Sequence, residues 1–186
     1  MTGISANESP SSDGFALFGT AIGVCGIAWN ERGVTGVQLP ERDVAATRRK
    51  MRRRFPEVGE ARTPVPVLQA IGRIVALLRG ERVDLTPVVL DMDLVPEFDR
   101  RVYRAARAIP PGETRTYGEI AREVGRPGAA RDVAAALARN PFAIVVPCHR
   151  IVAANGKLGG FSAAGGVKTK LELLAIELDA GPLFAQ

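Results

Sequence analysis

Apolar residues in the first forty positions fall into three short runs, over residues 15–18, 22–29 and 34–39, rich in the types that favour strands. Gly19-Thr20 and Asn30-Glu31-Arg32-Gly33 separate them with turn-forming residues, so the three predict a meander. Residues 42–55 follow as a helix. Thr63-Pro64-Val65-Pro66 breaks the chain, and apolar side chains at 67, 68, 71, 74, 75 and 78 then show the period of an amphipathic helix, closed by Gly80. Residues 87–94 predict one more strand. Val95-Pro96 marks a boundary, because the residue before a proline is pushed out of helical conformation.

Beyond that boundary the chain is helical and basic. Phe98, Val102, Ala105, Ala106 and Ile109 keep helical spacing over residues 97–109, which stop at Pro110-Pro111-Gly112. Thr116 caps a short helix over 117–124, with Glu119 completing a capping box. Gly125-Arg126-Pro127-Gly128 turns into an alanine-rich helix over 129–139, which makes a helix-turn-helix arrangement. The apolar run 142–146 predicts a buried strand that ends at Pro147, a residue with no N–H to give to a ladder. Asn155-Gly156 predicts a turn, and the glycine-rich residues 159–166 a loop that lines a pocket. Residues 167–178 predict a last helix with Val167, Leu171, Leu174, Ala175 and Leu178 buried and Glu177 at the flank of that stripe. The pattern as a whole predicts a mixed α/β (α+β) protein. A tail over residues 1–13 precedes an α/β domain over 14–94 and a C-terminal domain over 95–186.

Composition narrows the class. With 186 residues, 46% of them hydrophobic, the chain can bury a real core. The first residues lack the basic start and apolar centre of a signal peptide, and no apolar run approaches the roughly 20 residues that cross a bilayer, so no membrane partner is expected. Cys25 and Cys148 lie far apart and form a poor disulfide framework, which points to a reducing compartment and a cytoplasmic protein. With a single histidine they are too few for a tetrahedral metal site, and no cofactor is expected. A net charge of +5, carried largely by arginine, favours an anionic partner such as nucleic acid. The densest basic cluster is Arg48, Arg49, Lys50, Arg52, Arg53 and Arg54 on the helix over 42–55. It reads either as a solvated helix face or as a phosphate-tracking surface.

Cys148-His149 sets a thiol beside the only imidazole, at the end of an apolar run. Two readings stand: an activated nucleophile, or a small core hydrophobe with a satisfied polar neighbour. Neighbours in extended chain point to opposite sides, so contact through a water is expected rather than direct contact.

The run Pro147-Cys148-His149-Arg150-Ile151-Val152 follows Asn140-Pro141 and, further upstream, Thr116-Tyr117-Gly118-Glu119-Ile120-Ala121. Gly160-Phe161-Ser162 and Leu173-Leu174-Ala175-Ile176-Glu177 come after it. Together these closely resemble the O6-alkylguanine-DNA alkyltransferases, in continuous order from residue 92 to residue 179. The earlier half looks like the small ribonuclease-H-like domain of that family. The resemblance implies DNA repair by direct reversal, in which Cys148 takes the alkyl group from O6-alkylguanine, or from O4-alkylthymine, and keeps it. It implies His149 as general base through a water, Glu177 as the carboxylate that orients the imidazole, and Asn140 as support for the turn beneath the site. Tyr117 would give a proton to the departing guanine. Double-stranded DNA would be bound by a monomer through its minor groove and a winged-helix-like unit, with Thr116, Tyr117, Ala129, Ala130, Ala134 and Ala135 at the contact. Arg131 would fill the gap left by the flipped nucleotide, and Ile151, Phe161 and Ser162 would form the pocket. Phe161 departs from the tyrosine common at that place, and the 161–167 loop is longer than in several members. Two rivals differ in class: a non-enzymatic lesion binder, against which Cys148 argues, and a cysteine hydrolase, which would need no inserted arginine.

Overall fold

The computed structural model describes residues 12–154 and 157–179. The tail expected over 1–13 lies outside them up to residue 11, and the turn expected at Asn155-Gly156 lies outside them entirely. Strands β1 (Gly14–Thr20), β2 (Gly23–Asn30) and β3 (Gly33–Gln38) form the expected antiparallel meander, with Phe15 opposite Ala28 and Ile27 opposite Val37. Gly33 holds the second turn at φ 147, where a Cβ would stand 2.7 Å from the carbonyl oxygen of Val89. Helix α1 (Val44–Arg54) starts at Asp43, whose carboxylate accepts from the amide of Ala46 at 2.6 Å, and buries Thr47 and Met51. Helix α2 (Val65–Leu78) begins inside the proline-rich break, because Pro66 falls in the first turn, where a missing N–H costs nothing.

No strand forms over 87–94. Leu90 makes only an isolated bridge to Val34, Pro87 has no N–H to give, and the Asp84 carboxylate turns the chain by accepting from the amide of Thr86 at 2.8 Å. Helices α3 (Glu97–Arg107), α4 (Tyr117–Glu123) and α5 (Ala130–Ala138) pack together, and Tyr103 of α3 donates to the carbonyl of Ala136 at 2.9 Å. Arg115–Thr116 (β4) pairs in parallel with Ile151–Val152 (β5), and α6 (Val167–Asp179) closes against α2. One apolar core runs from Ile27 and Trp29 through Ile74 and Val102 to Val133 and Leu173. Among the described residues the chain is therefore a mixed α/β protein of small sheets and six α-helices.

Two expectations are corrected. Residues 142–146 form a tight buried turn rather than a strand: Val146 donates back to the carbonyl of Phe142 at 2.8 Å, and Ile144 takes a φ of 70. That left-handed conformation is strained for a β-branched side chain and holds only because Phe142, Ile144, Val145 and Val146 are buried around it. A short apolar run does not separate a buried strand from a buried turn. The face of α6 is also rotated. Lys170, Leu173 and Glu177 are buried, whereas Val167, Leu171, Ala175 and Leu178 are exposed, because hydrogen bonds to the two charged groups outweigh the apolar stripe.

Arg54, the last residue of α1, joins the early half to the later one. Its guanidinium donates to the Gln38 side chain at 2.8 Å and to the carbonyls of Val37 and Pro141 at 3.2 and 3.1 Å, while Val37 itself donates to the Pro141 carbonyl at 2.8 Å. Arg54→Met should lower stability to urea by about 1–3 kcal/mol, since these acceptors lose a shared donor. A substitution at the exposed Arg53 should stay within about 0.5 kcal/mol; equal losses for the two would contradict the assignment.

Candidate active site

Asn140 shapes the turn that carries Cys148. Its side-chain amide donates to the carbonyl of Val146 at 2.9 Å, and its oxygen accepts from the amide of Phe142 at 2.9 Å. Past Pro147 the chain does not run on extended. Cys148–Arg150 forms a 3₁₀ turn in which Arg150 donates to the Pro147 carbonyl at 2.9 Å. Successive side chains of such a turn diverge by about a third of a revolution. Cys148 accordingly stays partly exposed while His149 and Arg150 are buried. The extended chain expected at Cys148 and His149 is thus replaced by a 3₁₀ turn. The β4–β5 pairing, with Thr116 beside Val152, brings Tyr117 to the same place. Thr116 itself is consumed as a cap: it accepts from the Glu119 amide at 3.2 Å, and its hydroxyl and amide both donate to the Glu119 carboxylate.

Behind Cys148 lies a buried polar cluster. His149 Nε2 is 2.7 Å from Glu177 Oε1, and Arg150 grips the same carboxylate through Nε at 2.9 Å and Nη2 at 2.8 Å. Arg150 also donates to the carbonyl of Ile109, and the amide of Gly112 reaches Glu177 Oε2 at 3.2 Å. Burial disfavours an ionised Glu177, but the hydrogen bonds from His149 and Arg150 outweigh it and hold the carboxyl at about 2. An ionised carboxylate only accepts, so Nε2 of His149 carries the hydrogen and Nδ1 presents a lone pair. Nδ1 is buried with no hydrogen-bond partner among the described residues. Burial lowers the pKa of His149, against the raising effect of Glu177, which keeps the ring neutral and basic at Nδ1. Burial also raises the Cys148 thiol, opposed by Asn140 and by the charge of Lys170. The resting pair is therefore thiol and neutral imidazole.

Lys170 is fully buried and donates from Nζ to the carbonyls of Ile151 at 2.5 Å and Leu158 at 2.6 Å, with its ammonium 5.9 Å from the centre of the Tyr117 ring. The Ile151 side chain is buried and its carbonyl is held by Lys170. A cavity of about 260 Å³ opens over Cys148, lined by Tyr117, Ala134, Ala138, Phe161 and Ser162. Gly159, at φ 71, lets the loop close on Tyr117, since a Cβ there would meet the phenol oxygen at 3.1 Å. Burial and the neighbouring Cys148 both raise the Tyr117 hydroxyl, which stays protonated near neutral pH. Cys148, Tyr117, Phe161, Ser162 and Ala134 thus share one cavity, with His149, Glu177 and Asn140 behind it. Ala129, Ala130, Arg131 and Ala135 lie along α5 and its entry, where Arg131 and Ala135 are exposed and Ala136 turns inward. Arg150 and Lys170 were not among the expected site residues. Lys170, Leu173 and Glu177, spaced to share one face of α6, were the signal that could have found the second.

A family model described as 6-O-methylguanine DNA methyltransferase, DNA binding domain, matches residues 97–178. A methylated-DNA--protein-cysteine methyltransferase of Mycolicibacterium paratuberculosis is 47% identical over 125 residues, which cover 67% of this chain and 73% of that protein. The chain belongs to this family. The crystal structure of Mycobacterium tuberculosis O6-methylguanine methyltransferase shares the fold of this methyltransferase-family chain with a TM-score of 0.72 and 33% identity, over 92% of this chain and 96% of that one. A crystal structure of the M. tuberculosis OGT in complex with DNA aligns at a TM-score of 0.67 and 32% identity, covering 91% and 95% of the two chains.

Glu177→Gln should be costly, because it leaves the buried Arg150 without a counter-charge; about 3–5 kcal/mol is expected in chemical denaturation at neutral pH. The folded pKa of Glu177 lies below its ordinary value near 4.5, so its contribution is complete above that range and is lost as pH falls toward 2. The depressed His149 acts in the same direction, beginning below its ordinary value of 6.5. Stability curves should therefore converge for the two proteins as pH drops from 5 to 2, and a constant gap across that range would contradict the assignment.

Proposed function

We propose that this protein repairs alkylated DNA by direct reversal, moving an alkyl group from the O6 position of guanine irreversibly to Cys148. The observation that carries this reading is the thiol at the floor of a base-sized cavity. His149 lies behind it, with its Nε2–H committed to Glu177 and its Nδ1 lone pair free. The proton of Cys148 passes through a water to Nδ1, and Glu177 stabilises the imidazolium that forms. The positive charge of Lys170 favours the thiolate. Sulfur then attacks the alkyl carbon as the C–O6 bond breaks, and Tyr117 gives its proton to the leaving guanine. A thioether remains on Cys148, so each molecule acts once. Phe161, Ser162 and the carbonyls around Cys148 read the base, and O4-alkylthymine is a second substrate of the same chemistry.

An alkyl carbon within duplex DNA is out of reach of this cavity, so the nucleotide must be extruded, at a cost of a few kcal/mol. The helix-turn-helix of α4 and α5 suits the minor groove of double-stranded DNA. Ala129, Ala130, Ala134 and Ala135 permit close approach, Thr116 and Tyr117 lie at the contact, and Arg131 enters the stack as the nucleotide leaves. The protein acts as a monomer, with a ribonuclease-H-like early half over 14–94 and a DNA-binding, winged-helix-like half over 95–186. The cysteine argues against a lesion binder without chemistry, and the cavity lined by small α5 residues favours transfer over hydrolysis.

After incubation with duplex containing O6-methylguanine, intact mass should rise by one methyl, located on the Cys148 peptide. Cys148→Ala should bind the duplex and gain nothing; an unmodified wild-type protein retained on lesion DNA would overturn the proposal in favour of a binder. Tyr117→Phe should slow transfer by about 10²–10⁴, the range of a lost general acid, and an unchanged single-turnover rate would remove Tyr117 from that role. Arg131→Ala should slow transfer from duplex more than from single strands, where no stack has to be filled.

A further inference from the structure

Helix α1 presents a basic face for which the chemistry around Cys148 has no use. Of its six basic residues at 48–54, three are engaged within the protein. Arg48 pairs with Glu60 at 3.0 Å, Lys50 lies 3.8 Å from Glu41, and Arg54 is the clamp on Pro141. The other three, Arg49, Arg52 and Arg53, are exposed and make no ion pair or hydrogen bond among the described residues, although the charge of Arg49 is felt by Asp43. The favourable interaction of cations with a helix C-terminus accounts for arginine at 52 and 53, in the last turn. Arg49 lies earlier in the helix, within electrostatic reach of the capping Asp43, and its side chain stays exposed.

The position of this face adds a second, independent observation. A broad open cavity of about 680 Å³ is lined by Arg42, Arg49, Lys50, Arg52 and Arg53, with one carboxylate, Glu41, and with Ala164 of the glycine-rich loop. Lys50 and Ala164 also line a cavity that reaches Arg139, Asn140, Phe161 and Cys148. Phe161, Ser162 and Cys148 continue in turn into the cavity under Ala134 and Ala138 of α5. One continuous surface therefore runs from α5, across the mouth above Cys148 and the 160–164 loop, to the basic face of α1.

We propose that Arg49, Arg52 and Arg53 form a second DNA-contact surface. It would hold phosphates of the duplex beyond the nucleotides seated on α5. The inference rests on DNA being the partner of the α5 face, and its occupant follows from charge. A row of exposed guanidiniums, continuous with the place where a polyanion would lie, takes phosphate oxygens and carries no sequence preference. The contact widens the footprint and adds to affinity for damaged and undamaged duplex alike.

The test is the salt dependence of duplex binding for the full chain and for Arg49→Gln/Arg52→Gln/Arg53→Gln, with thermal unfolding as the check that the triple variant folds. Each phosphate contact contributes about 0.9 to the slope of log affinity against log salt. The variant should lose about 2–3 from that slope and bind undamaged and lesion-bearing duplex more weakly by the same factor. Short duplexes that cover only the α5 face should show no such difference. An unchanged slope on long duplex would overturn the proposal, even where wild type methylates Cys148 normally. Failure of wild type to take up methyl in the same samples would instead count against the repair reading. If sedimentation shows that the substitutions abolish self-association while the slope stays the same, the surface belongs to a second copy of the chain, and the DNA assignment is wrong.

Discussion

The carboxylate of Glu177 is the constraint on which the rest of the site depends. It accepts from an imidazole and a guanidinium at once, in a place where an ionised acid survives only with donors around it. Its position helps to explain why α6 turns an acid and an amine inward and leaves four apolar side chains in solvent. Its ionisation fixes the tautomer of His149, which in turn leaves a basic nitrogen behind the thiol. Arg150 balances the charge and ties the cluster to the end of α3 through the Ile109 carbonyl.

The electrostatics also describe a site that is quiet at rest. Burial holds Cys148 as a thiol and His149 as a neutral base, so no thiolate waits for a stray electrophile. In the proposed reaction the proton moves when a substrate fills the cavity, with Lys170 and Glu177 each favouring one of the charges that appear. For a nucleophile that can be spent only once, such restraint has an evident use.

Much of this was legible in the residues. The meander, α1, α3, the capping box of Thr116 with Glu119 and the turn between α4 and α5 follow from periodicity and local chemistry, and the structure keeps them within a few residues. Two misses show where hydrophobic pattern stops informing. Residues 142–146 are apolar because they are buried on every side, and only the side chain of Asn140 and the φ of Ile144 reveal a turn. On α6 the apolar pattern pointed to the wrong face, since the helix is oriented by two polar groups whose partners, Arg150 and the Ile151 carbonyl, lie elsewhere in the chain. Hydrogen bonds decided both cases, local ones from Asn140 and Val146 in the turn and tertiary ones on α6, and hydrophobic periodicity does not report either. The clamp of Arg54 on Pro141 is likewise hidden: one basic residue of the six ties the early half to the later one, and nothing in the run says which.

The pH dependence of the single-turnover rate tests the central claim most directly, namely that His149, oriented by Glu177, takes the proton of Cys148. With the relay in place the rate should be nearly flat from about pH 7 to 9 and fall only where the imidazole itself takes up a proton. In a folded His149→Ala protein the thiol must ionise unaided, so the rate should rise about tenfold per pH unit over the same range. Parallel profiles for the two proteins would contradict the account.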